Sequence, residues 1–346
     1  MDPGFEEGGR KILFFTRGRG RGHAIADMEI ARHLAAIEPG VQIRFVSYAA
    51  GAETFAAYRV PHIDLGLPER NPINETIVLA GKLIGNFDPD LVVAHEEFMA
   101  LPGAKIFGKP AVMITDWFAQ TEQFAMGSLQ LADRIMFLDE PGIYEEPEWV
   151  RGRVDYVGPV VREFRYRRSD REAARAELGL PADAFLVAVF PGGWREADHP
   201  ILNLVKDAFA LLPHASKNLI WLAGNDMELI RARVESQPAI VVLGYDPLID
   251  RVMAACDIAI TKGTRKTLFE LQAMGTPSMS LANPVTQVDR FRAARFPANT
   301  PFDREDGPQA LARCICTNAA REIAPVPMVS SGKRCAELIL GPLDSI

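Results

Sequence analysis

Three stretches of this chain set glycines beside titratable side chains. In "RGRGRGH" (17–23), Gly18, Gly20 and Gly22 allow a ligand close to the backbone, and His23 follows where a strand gives way to a helix. Imidazole titrates near neutrality, so His23 can accept the proton of a hydroxyl; packing at a helix start is its other use. "AHEEF" (His95, Glu96, Glu97) and "TDWF" (Asp116) stand behind it, as bases or as carboxylates at helix starts. In "FPGGW", Gly192 and Gly193 either admit a diphosphate to the backbone or make a plain tight turn. In "TKGTRKTLFE", Thr264 stands as an N-cap, and Lys262, Arg265 and Lys266 gather where a helix dipole is positive and suits an anion. Glu270, four residues after Lys266, is either half of a surface pair or a carboxylate that accepts ribose hydroxyls.

Several familiar sites fail on spacing. A dinucleotide fingerprint needs its third glycine at position 23, which is His23, and an acidic residue at the end of the second strand, where none precedes Glu53. "GAKIFGKP" (103–110) lacks the hydroxyl residue of a P-loop and precedes a strand instead of following one. "DPD" (88–90) lies before a strand, at the end away from ligands, and reads as a turn. No nicotinamide, flavin or metal is expected.

The elements that must carry these residues alternate. Apolar, β-branched runs at 11–16, 42–48, 62–66, 90–95, 111–115, 134–139 and 154–158 are separated by helix-period segments, the pattern of parallel βαβ units. A charged stretch with a short helix, 161–183, interrupts it. The alternation restarts with runs at 185–190, 218–224, 240–245, 257–263 and 277–283, and "SSGKRCAELIL" predicts a last helix. The reading is two α/β domains of doubly wound, Rossmann-like parallel sheets: 1–160, a connector 161–183, and 184–346. In such sheets ligands bind beyond the carboxyl ends of the strands, where all three stretches fall.

Bulk properties agree with an ordinary enzyme. The 346 residues exceed one core, and 48% hydrophobic with 24% charged residues is unremarkable for a globular protein. Residues 1–161 carry 15 basic against 23 acidic side chains and the rest 23 against 22, which argues against nucleic-acid binding. Four cysteines without a C-x-x-C pair predict reduced thiols. No apolar run is long enough for a transmembrane helix, so a soluble, cytoplasmic protein is expected, with room for peripheral contact with the inner face of a membrane.

The glycine loop ending in His23, taken with "GTRKTLFELQAMGTPSMSLANPVTQVDRFRAA" and "DYVGPVV", resembles the GT-B nucleotide-sugar glycosyltransferases. Within them it resembles the branch of MurG, which adds N-acetylglucosamine to lipid I, and of the diacylglycerol glucosyltransferases. The resemblance implies two domains facing across a cleft, the first for acceptor and the second for donor. Thr267, Glu270, Gly275 and Pro277 stand where the family has its donor-helix pattern, which implies that Glu270 binds the ribose of a UDP-sugar. Gln287 and Asp289 stand where the family touches the sugar, and Tyr245 where it contacts the base. Arg265 and Lys266 replace small residues beside the phosphates, and Phe291 and Arg292 stand where glutamines are common.

The implied chemistry is metal-independent and inverting: an acceptor hydroxyl, on a lipid-linked, saccharide or small-molecule acceptor, displaces a nucleoside diphosphate at the anomeric carbon. His23 ranks first as base, before Glu97 and Asp116. Gly192, Gly193, Thr264, Arg265 and Lys266 are placed to hold the diphosphate, and Gly20, Arg21 and Gly22 form an acceptor-side loop whose arginines face an anion or water. Two alternatives stand beside this one: a nucleotide-sugar hydrolase or epimerase of related fold, and a non-catalytic nucleotide-binding subunit of an envelope-synthesis complex.

Overall fold

The computed structural model describes residues 9–69, 73–116, 127–143, 146–150, 152–192, 199–282, 295–326 and 330–341. The chain divides into two units: Met1–Arg162 with Val329–Ile346, and Glu163–Met328.

The first unit is built on seven strands, β1 (Lys11–Thr16), β2 (Gln42–Ser47), β3 (His62–Asp64), β4 (Leu91–His95), β5 (Ala111–Thr115), β6 (Arg134–Phe137) and β7 (Val154–Tyr156). All pair in parallel, in the order β3-β2-β1-β4-β5-β6-β7. Runs such as "LVVAH" and "AVMIT" are buried at every position because helices cover both faces. Alternate residues serve opposite faces. Leu13, Phe15 and Val92 meet Ala80 and Ile84 of α3 (Ile73–Phe87) and Leu101 of α4 (Ala100–Ile106). Ile12, Phe14 and Val93 meet Ile30 and Leu34 of α1 (Gly22–Ile37) and Phe55 of α2 (Ala49–Ala57).

The second unit repeats the plan with β8 (Phe185–Phe190), β9 (Lys217–Leu222), β10 (Ile240–Leu243), β11 (Ile258–Thr261), β12 (Ser278–Ala282) and β13 (Asn299–Asp303), all parallel, in the order β10-β9-β8-β11-β12-β13. Its helices are α5 (Arg171–Glu177), α6 (His199–Ala210), α7 (Met227–Val234), α8 (Ile249–Ala255), α9 (Arg265–Met274) and α10 (Gly307–Ala319). The strand order reverses between β1 and β4 in one sheet and between β8 and β11 in the other. Those two reversals are where doubly wound sheets open a crevice for ligands.

Two boundaries differ from the sequence reading. The charged stretch 163–183 belongs to the second unit. Arg175 of α5, fully buried, donates to the carbonyls of Ala182 (2.6 Å), Ala184 (2.7 Å) and Ala255 (2.9 Å) and pairs with Asp257 (2.9 Å). These bonds satisfy a buried cation and dock the helix beside β8 and β11. The last helix, α11 (Gly332–Leu340), was expected with the second domain but packs on the first. Cys335, Ala336 and Ile339 join Ile12, Ile30 and Leu34 in one apolar cluster, and Arg10 Nη1 donates to Leu340 O at 2.9 Å.

Twelve strands fall within about two residues of their expected places, and β13 went unread. "NTPFD" carries Pro301, which a strand accepts at a sheet edge, and β13 is an edge strand. All four cysteines are free; burial pushes the Cys256 and Cys335 thiols up to about 12. Among the described residues no helix is long and apolar enough to cross a membrane.

Candidate active site

The reversal point of the first sheet brings the "RGRGRGH" loop together with "AHEEF". Thr16 of β1 and His95 of β4 are register partners, so the loops that follow them leave side by side. The turn after β1 is tight: a Cβ on Gly18 would lie 2.3 Å from Tyr48 O and 2.4 Å from its ring. That close approach swings the chain back so that α1 starts over the end of β4, with His23 as its second residue.

Glu96, the first residue past β4, has φ of 52°, a left-handed conformation unusual for a residue with a Cβ. Its neighbours enforce it. Glu96 N donates to Ile114 O (3.0 Å), Arg17 N donates to His95 O (3.1 Å), and Glu96 bridges to Thr16. The turn throws the carboxylate back into the reversal point instead of onward along the strand; strain of this kind serves placement. There Oε2 lies 3.0 Å from His23 Nε2 and 3.5 Å from Arg17 Nη1, while Oε1 accepts from Asp116 N (3.1 Å) and Thr115 Oγ1 (3.3 Å).

Every neighbour of that carboxylate is a donor, which fixes its charge. Burial works to raise the Glu96 carboxyl, but the charge and hydrogen bond of His23, with His95 beside it, hold it well below the usual carboxylate range. An ionised Glu96 accepts from His23 Nε2, so whenever the ring is neutral its lone pair is on Nδ1. Nδ1 is buried and has no hydrogen-bond partner among the described residues. A histidine oriented by a carboxylate on one nitrogen and open on the other is the arrangement of a general base.

The other candidates occupy different places. Glu97 turns away and accepts from Tyr48 Oη at 3.0 Å, both nearly inaccessible; burial pushes its carboxyl up, opposite in direction to Glu96. Asp116 contributes its backbone N–H to Glu96. Of the loop arginines, Arg17 meets Glu96, Arg21 pairs with Glu53 (2.7 Å) and Thr54 (3.3 Å), and Arg19 and Gly20 are exposed. Asp88 and Asp90 of "DPD" pair with Lys109 and with Lys11 N, at the amino ends of the strands. Glu96 was only one of several carboxylates in sequence, and Asp27 drew no notice; its spacing of four from His23 was the available signal.

The second sheet repeats the arrangement of a glycine turn beside a helix start. Phe190 of β8 and Thr261 of β11 are register partners, and Gly192, at φ of 62°, would place a Cβ 3.6 Å from Thr264 Cγ2. The glycine turn thus meets the start of α9, which exposes N–H groups and the positive end of a helix dipole. Thr264 occupies the N-cap position but makes no side-chain cap bond; its hydroxyl donates to Thr267 Oγ1 at 3.0 Å, so the cap expectation is corrected. Arg265, Lys266 and Thr267 are half-buried in the first turn, and Glu270 is buried one turn on. Gly275 ends the helix at φ of 76°, where a Cβ would come within 2.8 Å of Ile323 O. Tyr245 follows β10 on the same carboxyl side. Gly193, Gln287 and Asp289 lie outside the described residues. Among the described residues no group of three or more His, Cys, Asp or Glu side chains is placed to hold a metal.

No protein-family model matches the chain. It is 26% identical over 308 residues, 82% of its own length and 79% of the relative's, to UDP-N-acetylglucosamine–N-acetylmuramyl-(pentapeptide) pyrophosphoryl-undecaprenol N-acetylglucosamine transferase of Mycobacterium sp. (strain KMS). Among solved structures it superposes on MurG of Acinetobacter baumannii with a TM-score of 0.62, 14% identity and coverage of 95% and 99% of the two chains. It superposes on Methanocaldococcus jannaschii UDP-GlcNAc 2-epimerase, solved with UDP-GlcNAc and UDP, with a TM-score of 0.70, 12% identity and coverage of 95% and 98%. The structural likenesses establish the shared two-domain parallel α/β fold. In sequence and in fold, this chain resembles the MurG branch of the GT-B glycosyltransferases.

Proposed function

We propose that the chain is a metal- and cofactor-independent, inverting glycosyltransferase that moves a sugar from a UDP-sugar, UDP-N-acetylglucosamine first among them, to an acceptor hydroxyl. The observation that carries the reading is the His23–Glu96 pair at the reversal point of the first sheet. His23 Nδ1 takes the acceptor's hydroxyl proton; the oxygen forms the new bond to the anomeric carbon; the bond to the diphosphate breaks, and UDP leaves with the electron pair. Glu96 balances the imidazolium. The departing charge falls to the Gly192–Gly193 turn, the start of α9, Arg265 and Lys266, with Glu270 on the ribose, Tyr245 at the base and Gln287 and Asp289 at the sugar.

Donor binding is the direct test. UDP and UDP-N-acetylglucosamine at about a hundredfold excess over Kd should add about 2.7 kcal/mol, raising Tm by several degrees. Glu270→Ala should remove most of that rise while the unliganded Tm stays near wild type. If neither ligand moves the wild-type Tm, the donor assignment fails.

The epimerase likeness gives the second reading its weight, because a histidine–carboxylate pair also suits a reaction without an acceptor. Proton NMR of UDP-N-acetylglucosamine with enzyme alone separates them. An epimer, or free sugar with UDP, formed at enzymatic rates would displace the transferase reading.

A lipid-linked acceptor, met at the cytoplasmic face of a membrane, is the partner the surface favours. Val78 of α3, Ile106 at the end of α4 and Phe107 just after it are large apolar side chains left 56%, 76% and 45% exposed. They are neighbours, since the Phe107 ring lies over Gly81 and Gly85 of α3, and Lys82 and Lys105 lie in the same segments. An apolar patch with basic side chains suits an anionic lipid surface. Sedimentation with vesicles containing anionic phospholipid should show binding, weakened about tenfold in Ile106→Ser/Phe107→Ser. Equal binding of both proteins would remove the patch from the account.

A further inference from the structure

The reversal point of the first sheet holds a second histidine–carboxylate pair that the transfer reaction does not use. His95 Nδ1 lies 2.6 Å from Asp27 Oδ1, and Thr16 Oγ1 donates to Asp27 Oδ2 at 2.5 Å; His95 and Asp27 are both fully inaccessible to solvent. The two pairs are interchanged between elements. Helix α1 supplies His23 and Asp27, four residues apart and so on one face, while the end of β4 supplies His95 and Glu96 in succession. The imidazoles meet edge to face, with centroids 4.8 Å apart and planes at 89°.

Burying an aspartate completely costs several kcal/mol unless a partner compensates it, and an apolar pair would pack this corner at no such cost. Thr16 of β1, Arg17 of the loop after it, Glu96 just past β4, His23 of α1 and the Cys335 thiol of α11 face the buried pair. Arg17 is committed to Glu96, and the imidazole that Asp27 meets is that of His95.

We propose that His95 is a positioning residue, held as an imidazolium by Asp27, whose ring packs against His23 and whose charge keeps Glu96 ionised and the His23 proton on Nε2. The inference rests on the reading of His23 as the base, but its first test does not need turnover. In wild-type protein with 15N-labelled histidine, the His95 ring should show both nitrogens protonated at a pH where the His23 ring is neutral with its proton on Nε2. A neutral His95 under those conditions overturns the proposal. Loss of transfer activity in the wild type, with these ring signals present, would count against the functional reading alone.

His95→Asn supplies the second test, because the Asn amide keeps a donor for Asp27 and cannot carry charge. With the neighbouring cation gone, the acid limb of kcat should move to higher pH. At neutral pH kcat should fall about 10- to 100-fold with KM within about twofold, the size of effect expected from a displaced catalytic group. A folded His95→Asn protein with the wild-type pH profile and wild-type His23 signals would reduce the pair to packing.

Discussion

Replacing His23 by alanine is expected to lower kcat for sugar transfer by about 10²- to 10⁴-fold, the usual contribution of a positioned general base. The donor-induced rise in Tm should stay intact, since every donor-binding candidate lies in the other unit. The fold should tolerate the change, because His23 is only half-buried and its bonded partner Glu96 keeps Arg17, Thr115 and the Asp116 N–H. Single-turnover transfer from radiolabelled donor, with UDP titrated in parallel, measures both quantities. Full activity in His23→Ala would move the base elsewhere, and Asp116 is the next residue to change.

Glu96→Gln should be nearly as damaging for a different reason. Both oxygens of Glu96 face donors, with His23 and Arg17 on one side and Thr115 and the Asp116 N–H on the other. An amide in that place must turn its own NH2 toward one set or the other. The least costly escape moves the His23 proton to Nδ1, which removes the lone pair the reaction needs. A loss of about 10³- to 10⁴-fold in kcat follows, as for other bases forced into the wrong tautomer.

The same substitution has a signature in acid. Glu96 is held below its ordinary value in the folded protein, so its ionised form favours folding. That contribution is complete above the unfolded-state value, near pH 4.3, and is lost as pH falls through the depressed folded value. Glu96→Gln lacks it at every pH. At neutral pH the variant should be less stable by about 3 kcal/mol, the low end for breaking a buried pair, since Arg17 retains some water. Toward acid the gap should close, and circular dichroism from pH 7 to 2 would follow it. A gap independent of pH would mean that Glu96 is not held charged.

What the sequence disclosed and what it hid follow from how local each signal is. Continuous apolar runs such as "FLVAVF" and "AVMIT" can be little else than central strands, and the glycines after "FLVAVF" mark a turn without any knowledge of neighbours. His23 was legible because its whole context lies within seven residues. Glu96 was not, because its importance comes from a left-handed turn imposed by β1 and β5, which are distant in sequence. Asp27 drew no notice because only the position of β4 buries it against His95. The amphipathic last helix announced that it needed a partner but not which one; the uncovered face of α1 decided that.

The return of α11 to the first unit also sets the order in which the protein can be completed as it leaves the ribosome. The second unit is one uninterrupted stretch, Glu163–Met328, and has all its strands as soon as it emerges. The first unit, although synthesised earlier, must wait with Ile30 and Leu34 of α1 uncovered until the last helix arrives. The usual sequence of folding from the amino end is therefore reversed for the final step. Because His23 and Asp27 ride on that same helix, the corner they share with His95 and Glu96 is among the last parts of the nascent chain to set.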